Sequence, residues 1–137
     1  MFASFSGIEI VYLLLTIVIS LSIHEAMHAY VGYKLGDTTA HDMGRISLNP
    51  LKHIDPFTTV LLPIITILIF QTPILAARPV PFNPARLKFD EFGAALVAAA
   101  GPVSNLVLAI FAALLLQHAT LSLSFADFLN IFAVTNV

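Results

Sequence analysis

Apolar residues in this chain gather into four blocks separated by polar, turn-forming connections. The first runs from about Ile8 to Leu35, roughly 42 Å of helix, and Gly36-Asp37 is its stop signal. Within it stands His24-Glu25-Ala26-Met27-His28, about 24–30 Å from the start and so near the exit side of a bilayer. A polar connection, Asp37 to Pro56, follows. Its Asn49-Pro50 and Asp55-Pro56 pairs predict turns, and Arg45-Ile46-Ser47-Leu48 alternates like a short strand. The second block, Phe57 to Ala77, is long enough to span but carries Pro63 and Pro73, each of which removes a backbone donor and argues against a straight helix. Arg78 to Pro84 is predicted extended, because a residue before proline is pushed out of the helical region. The third block, Phe92 to Leu116, is rich in Ala and Gly, which lets helices approach closely. Gly101-Pro102 predicts a kink near its middle, with Asn105 on the next turn. The fourth starts near Phe125 and stops at Val137 after about 20 Å of helix, too short to span, and reads as a chain cut inside a helix.

Composition sharpens this picture. Of 137 residues, 58% are hydrophobic and 10% charged, with a mean hydropathy of +0.94; soluble domains carry roughly 25% charged residues. The expected class is an all-α polytopic membrane protein with about three to four transmembrane segments and an irregular or short β-like re-entrant element. Residues 1–137 form a single membrane-embedded domain on this reading. A net charge of −2 provides no basic surface for nucleic acid. With no cysteine, any metal must rest on His, Asp or Glu. Met1 to Gly7 carry no Lys or Arg, so the first block reads as a retained helix rather than a cleaved signal peptide.

The candidate chemistry lies in the first block. H-E-x-x-H on a helix sets His24 and His28 one turn apart on one face, about 6 Å along the axis, where both can grip one zinc ion. Glu25 sits about 100° round and borders that face, within reach of a metal-bound water. Three ionisable side chains at membrane depth are costly and read as functional. A catalytic zinc needs a third protein ligand. The positions where soluble zinc proteases find theirs hold Lys34 or the loop residue Glu91, and neither fits. Asp37, Asp42, Asp55 and Asp127 read as loop or cap residues. His53 and Asp55 could support the metal ligands from behind, or cap their own turns. Asn105 could orient a substrate or polarise its carbonyl, or simply bond a neighbouring helix. His118 and Gln117, at a helix end, read as interface residues.

Taken in order, the H-E-x-x-H helix, Gly36-Asp37, Gly44-Arg45-Ile46-Ser47-Leu48-Asn49-Pro50, His53-Ile54-Asp55-Pro56, Arg78-Pro79-Val80-Pro81 and Ala100-Gly101-Pro102-Val103-Ser104-Asn105 resemble the site-2 proteases. These are intramembrane zinc metalloproteases, and the resemblance is to their compact, mostly prokaryotic branch without a PDZ insertion. It implies that His24 and His28 bind Zn2+, that Glu25 is the general base, and that the substrates are transmembrane segments of other proteins. The expected setting is a prokaryotic cell membrane, with the lipid bilayer as surroundings and the active site towards the cytoplasm. The family's third ligand is the aspartate of a Leu-Asp-Gly motif on a later helix, and this chain stops before any such motif. Asn130 to Val137 resembles the stretch preceding it, with Asn136 matching an upstream asparagine. The alternative is a catalytically silent membrane module that binds zinc or partner helices. Backbone left open by Pro79-Val80-Pro81 could pair with an extended substrate, as in strand addition.

Charge counting adds a topology. Lys34, Arg45 and Lys52 lie at or after the first helix's exit, and Arg78, Arg86 and Lys88 lie before the third. If the chain returns between them, all six basic residues share the cytoplasmic side, as the positive-inside rule favours. Single cysteines at positions 6, 52 and 88, probed with an impermeant thiol reagent, are expected to place 52 and 88 in the cytoplasm and 6 outside. Labelling of 52 and 88 from opposite faces would overturn this topology.

Overall fold

The computed structural model describes residues 6–53, 57, 61–70 and 80–137. Among them the chain is helical, with no strand. Helix α1 spans Gly7–Lys34 and α4 spans Asp90–His118. Between them lie the short α2 (Thr39–Asp42), a 3-10 turn at Pro50–Lys52, α3 (Leu62–Phe70) and a second 3-10 turn at Pro84–Arg86. Helix α5 covers Leu123–Thr135.

Local chemistry sets these boundaries. Ser6 caps α1 reciprocally: Glu9 N–H donates to Ser6 Oγ, and Glu9 Oε2 accepts from the Ser6 N–H at 2.7 Å. The helix ends where Gly36 turns left-handed at φ 107°, with the Arg86 carbonyl packed against it. Ser122 caps α5 by accepting from the Phe125 N–H. Helix α4 runs through Pro102 without a break in its assigned length, 29 residues in all. Helix α3 includes Pro63 as its second residue.

Helices α1, α4 and α5 pack pairwise. Helix α4 runs antiparallel to α1: Lys88 N–H donates to the Leu35 carbonyl at 2.8 Å, Gly32 lies against Val97, and His28 meets Val97 and Gly101. Helix α5 folds back along α4 through Ala112, Leu129 and Phe132, so it runs parallel to α1. Tyr12 fixes that third contact, edge-on to Phe128 at 5.7 Å and hydrogen-bonded to Ser124.

The burial pattern is inverted relative to a water-soluble bundle. Ile8, Val11, Leu14, Leu15, Val18 and Ile19 of α1 point outward, while Thr16, Ser20, Ser22 and Glu25 are buried. Helix α4 likewise exposes Val103, Leu106, Val107, Ile110 and Phe111 while burying Gly101, Ala109 and Ala112. Such faces suit hydrocarbon, where small interface residues let helices approach. Both α1 and α4 are long and apolar enough to cross a membrane. Of the three to four spans expected, these two have the length; α5, with 13 residues, does not. Helix α3 accounts for nine residues of the second block, and Pro73 lies outside the described residues.

The strand expected at Arg45–Leu48 is not there. The Arg45 N–H is taken by the Ala40 carbonyl at 2.9 Å and the Ser47 N–H by the Arg45 carbonyl at 3.0 Å, so neither donor is left for a ladder. The β-like element therefore has no counterpart among the described residues. This connection instead coils into α2 and the Pro50–Lys52 turn, the latter capped by Asn49 Oδ1 on the Leu51 N–H. Positions 80–83 carry no regular structure, as the prolines require.

Asp37 ties the two polar connections together. Its Oδ1 accepts from the Thr39 hydroxyl and N–H, and its Oδ2 accepts from the Asn83 N–H at 2.6 Å. The connection after α1 and the one before α4 thus meet at one end of the bundle, the geometry a returning chain requires. Burial works to raise the Asp37 carboxyl, but hydrogen bonds from Thr39 and Asn83 and the charge of Arg86 together hold it below the usual carboxylate value. A group lowered in the folded state stabilises at neutral pH, and that contribution disappears as pH falls through its folded value. Asp37→Ala is expected to cost about 1–3 kcal/mol, read as a lower thermal midpoint in detergent at pH 7. The gap to wild type should close on acidification below pH ~4, and a pH-independent gap would remove the carboxylate from this role.

Candidate active site

The H-E-x-x-H residues sit on the last third of α1, where α4 crosses closest. Their imidazole rings stand edge to face with centroids 4.7 Å apart. The Nε2 atoms of both rings point at Gly101, and a methyl group added there would collide with each of them. Only glycine lets the α4 backbone come so near. Two imidazole nitrogens therefore converge on one small space against a bare stretch of helix.

The other ring nitrogens differ. His28 Nδ1 lies 2.6 Å from the Val97 carbonyl, a contact that requires the proton on Nδ1 and leaves the Nε2 lone pair free. His24 Nδ1 is buried with no partner. Asn105 stands beside His24, its Oδ1 also buried and unpaired.

Glu25 is buried, with Oε2 unpaired. It takes a hydrogen bond from the Val80 backbone, and His28, His53 and Arg45 are the positive or titratable groups in its field. Glu25 and His28 line a cleft of about 190 Å³ together with Val80, Phe82, Val97 and Ala98. The Ala98 carbonyl would ordinarily receive the N–H of residue 102, which proline lacks. One wall of the cleft is thus helix backbone deprived of a donor, and another is the irregular chain at Val80 and Phe82.

His53 is fully buried, with Nε2 2.6 Å from the Ser47 carbonyl. Its partner from the sequence reading, Asp55, lies outside the described residues. Arg45 is buried and donates to the Lys52 carbonyl, closing the same loop. Sequence reasoning passed over three contributors: the Val97 carbonyl, the bare face of Gly101 and the buried charge of Arg45. A backbone carbonyl has no sequence signal, whereas Gly101, next to a proline inside an apolar helix, carried one.

A metal fits this arrangement in part. Two free imidazole nitrogens meet in one place, and unpaired buried polar atoms surround them. Among the described residues no third His, Cys, Asp or Glu joins them.

Comparison with known proteins bears on the same residues. Over 110 residues, 79% of this chain and 47% of the relative, the chain is 47% identical to "Putative zinc metalloprotease YwhC" of Bacillus subtilis. Over 94 residues, 66% of the chain and 34% of the relative, it is 33% identical to "Putative zinc metalloprotease Rip2" of Mycolicibacterium smegmatis. The chain is thus similar, along most of its own length, to two proteins named as zinc metalloproteases. This agrees with the resemblance to site-2 proteases carried by the motifs. The chain spans about half the length of the first relative and a third of the second. No family model matches it, and no solved structure does.

The convergence on Gly101 yields a direct test. Gly101→Ala should leave the helices folded but displace both imidazoles, so zinc retained on purification should fall at least tenfold, as in His24→Ala and His28→Ala. Elemental analysis beside circular dichroism reads both quantities. Wild-type zinc content in Gly101→Ala would show that the two nitrogens do not act as one site.

Proposed function

We propose that the chain forms the catalytic part of an intramembrane zinc endopeptidase of the site-2 type, cleaving transmembrane segments of other membrane proteins. The observation that carries this reading is the meeting of two free imidazole nitrogens with a buried carboxylate at the edge of a cleft walled by irregular backbone. His24 and His28 would hold the zinc. When bound, zinc supplies Lewis acidity, acidifying water and polarising a peptide carbonyl.

The chain's own residues supply the rest. Glu25, unpaired at Oε2, takes a proton from the attacking water and delivers it to the departing amine nitrogen, so the proton ledger closes within one carboxyl group. The Val80 N–H holds the carboxylate towards the cleft. His28 is kept in one tautomer by Val97, so its ring need not reorganise during turnover. Asn105, beside His24, offers an amide to a carbonyl oxygen that gains charge. The segment at 80–82 gives an extended substrate a backbone to lie against, since a helix must unwind before its peptide bonds are accessible. A silent zinc-binding module would have no use for a carboxylate buried at that cleft with one oxygen unpaired.

The setting we propose is a prokaryotic cell membrane, as the family resemblance implies, with a multi-pass chain whose charge distribution turns the site towards the cytoplasm. The Leu35–Lys88 and Asp37–Asn83 bonds support it by bringing both basic connections to the end of the bundle nearest His28.

Glu25→Gln separates binding from chemistry. In a chain continued through a Leu-Asp-Gly motif, this variant is expected to keep its zinc and lose cleavage of a membrane-embedded reporter by roughly 10²–10⁴-fold. Cleavage at the wild-type rate would exclude Glu25 as the base.

A further inference from the structure

Thr16, Ser20, His24 and His28 recur at one-turn intervals along one face of α1, continuing the line of the histidines towards the middle of the bundle. Thr16 is 0% exposed and Ser20 6%. Neither hydroxyl has a hydrogen-bond partner, nor do His24 Nδ1, Asn105 Oδ1 on α4 or Asn136 Oδ1 just after α5.

A shortage of acceptors does not explain this. Ser22 donates to the Val18 carbonyl at 2.7 Å, Thr135 to that of Ile131 at 2.7 Å, and Asn130 to that of Ala126 at 3.0 Å. Back-bonding of this kind is the ordinary recourse of a polar side chain in an apolar helix. Thr16 and Ser20 forgo it and turn inward.

The helix registers bring these groups to one seam. Tyr12 is level with Ser124 and Phe128, and α5 runs parallel to α1, so the end of α5 comes level with Ser20 and His24. Leu106 and Ala109 of α4 line one cavity with Ala133 and Val137, so the end of α5 lies along the turn of α4 that follows Asn105. Ala109 and Ala112 of α4, buried and small, follow Asn105 by one and two turns. All the donors and acceptors here, apart from His24, are neutral. Clustered, buried, unpaired polar atoms of both kinds are what internal water satisfies, each molecule making two to four bonds.

We propose that the seam between α1, α4 and α5 holds a cluster of ordered water, bound by Thr16, Ser20, Asn105 and Asn136 and reaching His24 Nδ1. For His24 this water does what the Val97 carbonyl does for His28: it accepts the Nδ1 proton and leaves Nε2 free. The hydration stands independently of the protease reading, because it follows from hydroxyl and amide groups that need no metal.

Water-edited solid-state NMR on the metal-free protein in lipid bilayers tests it. Signals of Thr16 and Ser20 should build up from water as quickly as those of Thr39 and Ser47 in the polar connection after α1. Ser22, equally buried but bonded to Val18, should lag. Build-up at Thr16 and Ser20 as slow as at Ser22 would overturn the proposal. Thr16→Val supplies an independent sign. If the hydroxyl binds water, this isosteric change lowers the thermal midpoint by roughly 2–5 °C, and Thr16→Ser recovers part of the loss. If the hydroxyl is truly unpaired, the methyl group relieves it and the midpoint stays or rises, which would also overturn the proposal.

Discussion

The close approach of α4 to α1 at Gly101 is the contact on which the site depends. Without a side chain at that position, the backbone comes near enough for both histidines to direct their Nε2 atoms into one space. The same approach brings the Val97 carbonyl onto His28 and sets Asn105 beside His24. One absent Cβ thus makes room for two rings, while Val97 and Ala98 one turn earlier supply the tautomer-fixing carbonyl and a wall of the cleft at Glu25. Pro102, adjacent in sequence, removes a backbone donor on the same turn, so α4 is both bare and short of a hydrogen bond where chemistry is proposed.

The polarity of the bundle follows from its surroundings. Hydrocarbon gives outward Ile, Leu, Val and Phe no reason to turn inward, so the interior is left to small and polar residues. Alanine and glycine supply proximity, while hydroxyls and amides must find partners within the seam or in trapped water. This explains why the buried residues of α1 are the polar Thr16, Ser20, Ser22 and Glu25 and the small Ala26, Ala29 and Gly32, while its bulkiest aliphatic residues face outward. Outside the bundle, where water is available, a single carboxylate suffices to join two connections. Asp37 does this by accepting from Thr39 and Asn83.

Similarity to two proteins named as zinc metalloproteases agrees with this architecture, over a region of about half the length of the first. The geometry adds what similarity of sequence does not contain. It shows a histidine tied to a helix carbonyl, a second with an amide side chain beside it, and a carboxylate facing irregular backbone.

By itself the sequence determined the features that depend on local periodicity. The ends of α1 and α4 fall within about two residues of the hydrophobic pattern's limits, because long apolar runs and Gly36 mark them unambiguously. The H-E-x-x-H spacing put His24, Glu25 and His28 on adjoining faces for the same reason, since helical pitch alone relates them. Features that depend on a partner far along the chain were not legible. Arg45 to Leu48 alternated like a strand, yet its amides were claimed by the preceding turn, a competition that alternation does not encode. The Val97 carbonyl, the bare face of Gly101 and the convergence of Thr16, Ser20, Asn105 and Asn136 arise only when α4 and α5 are laid against α1. Periodicity determines which face a residue occupies. Only the packing of three helices determines what that face meets.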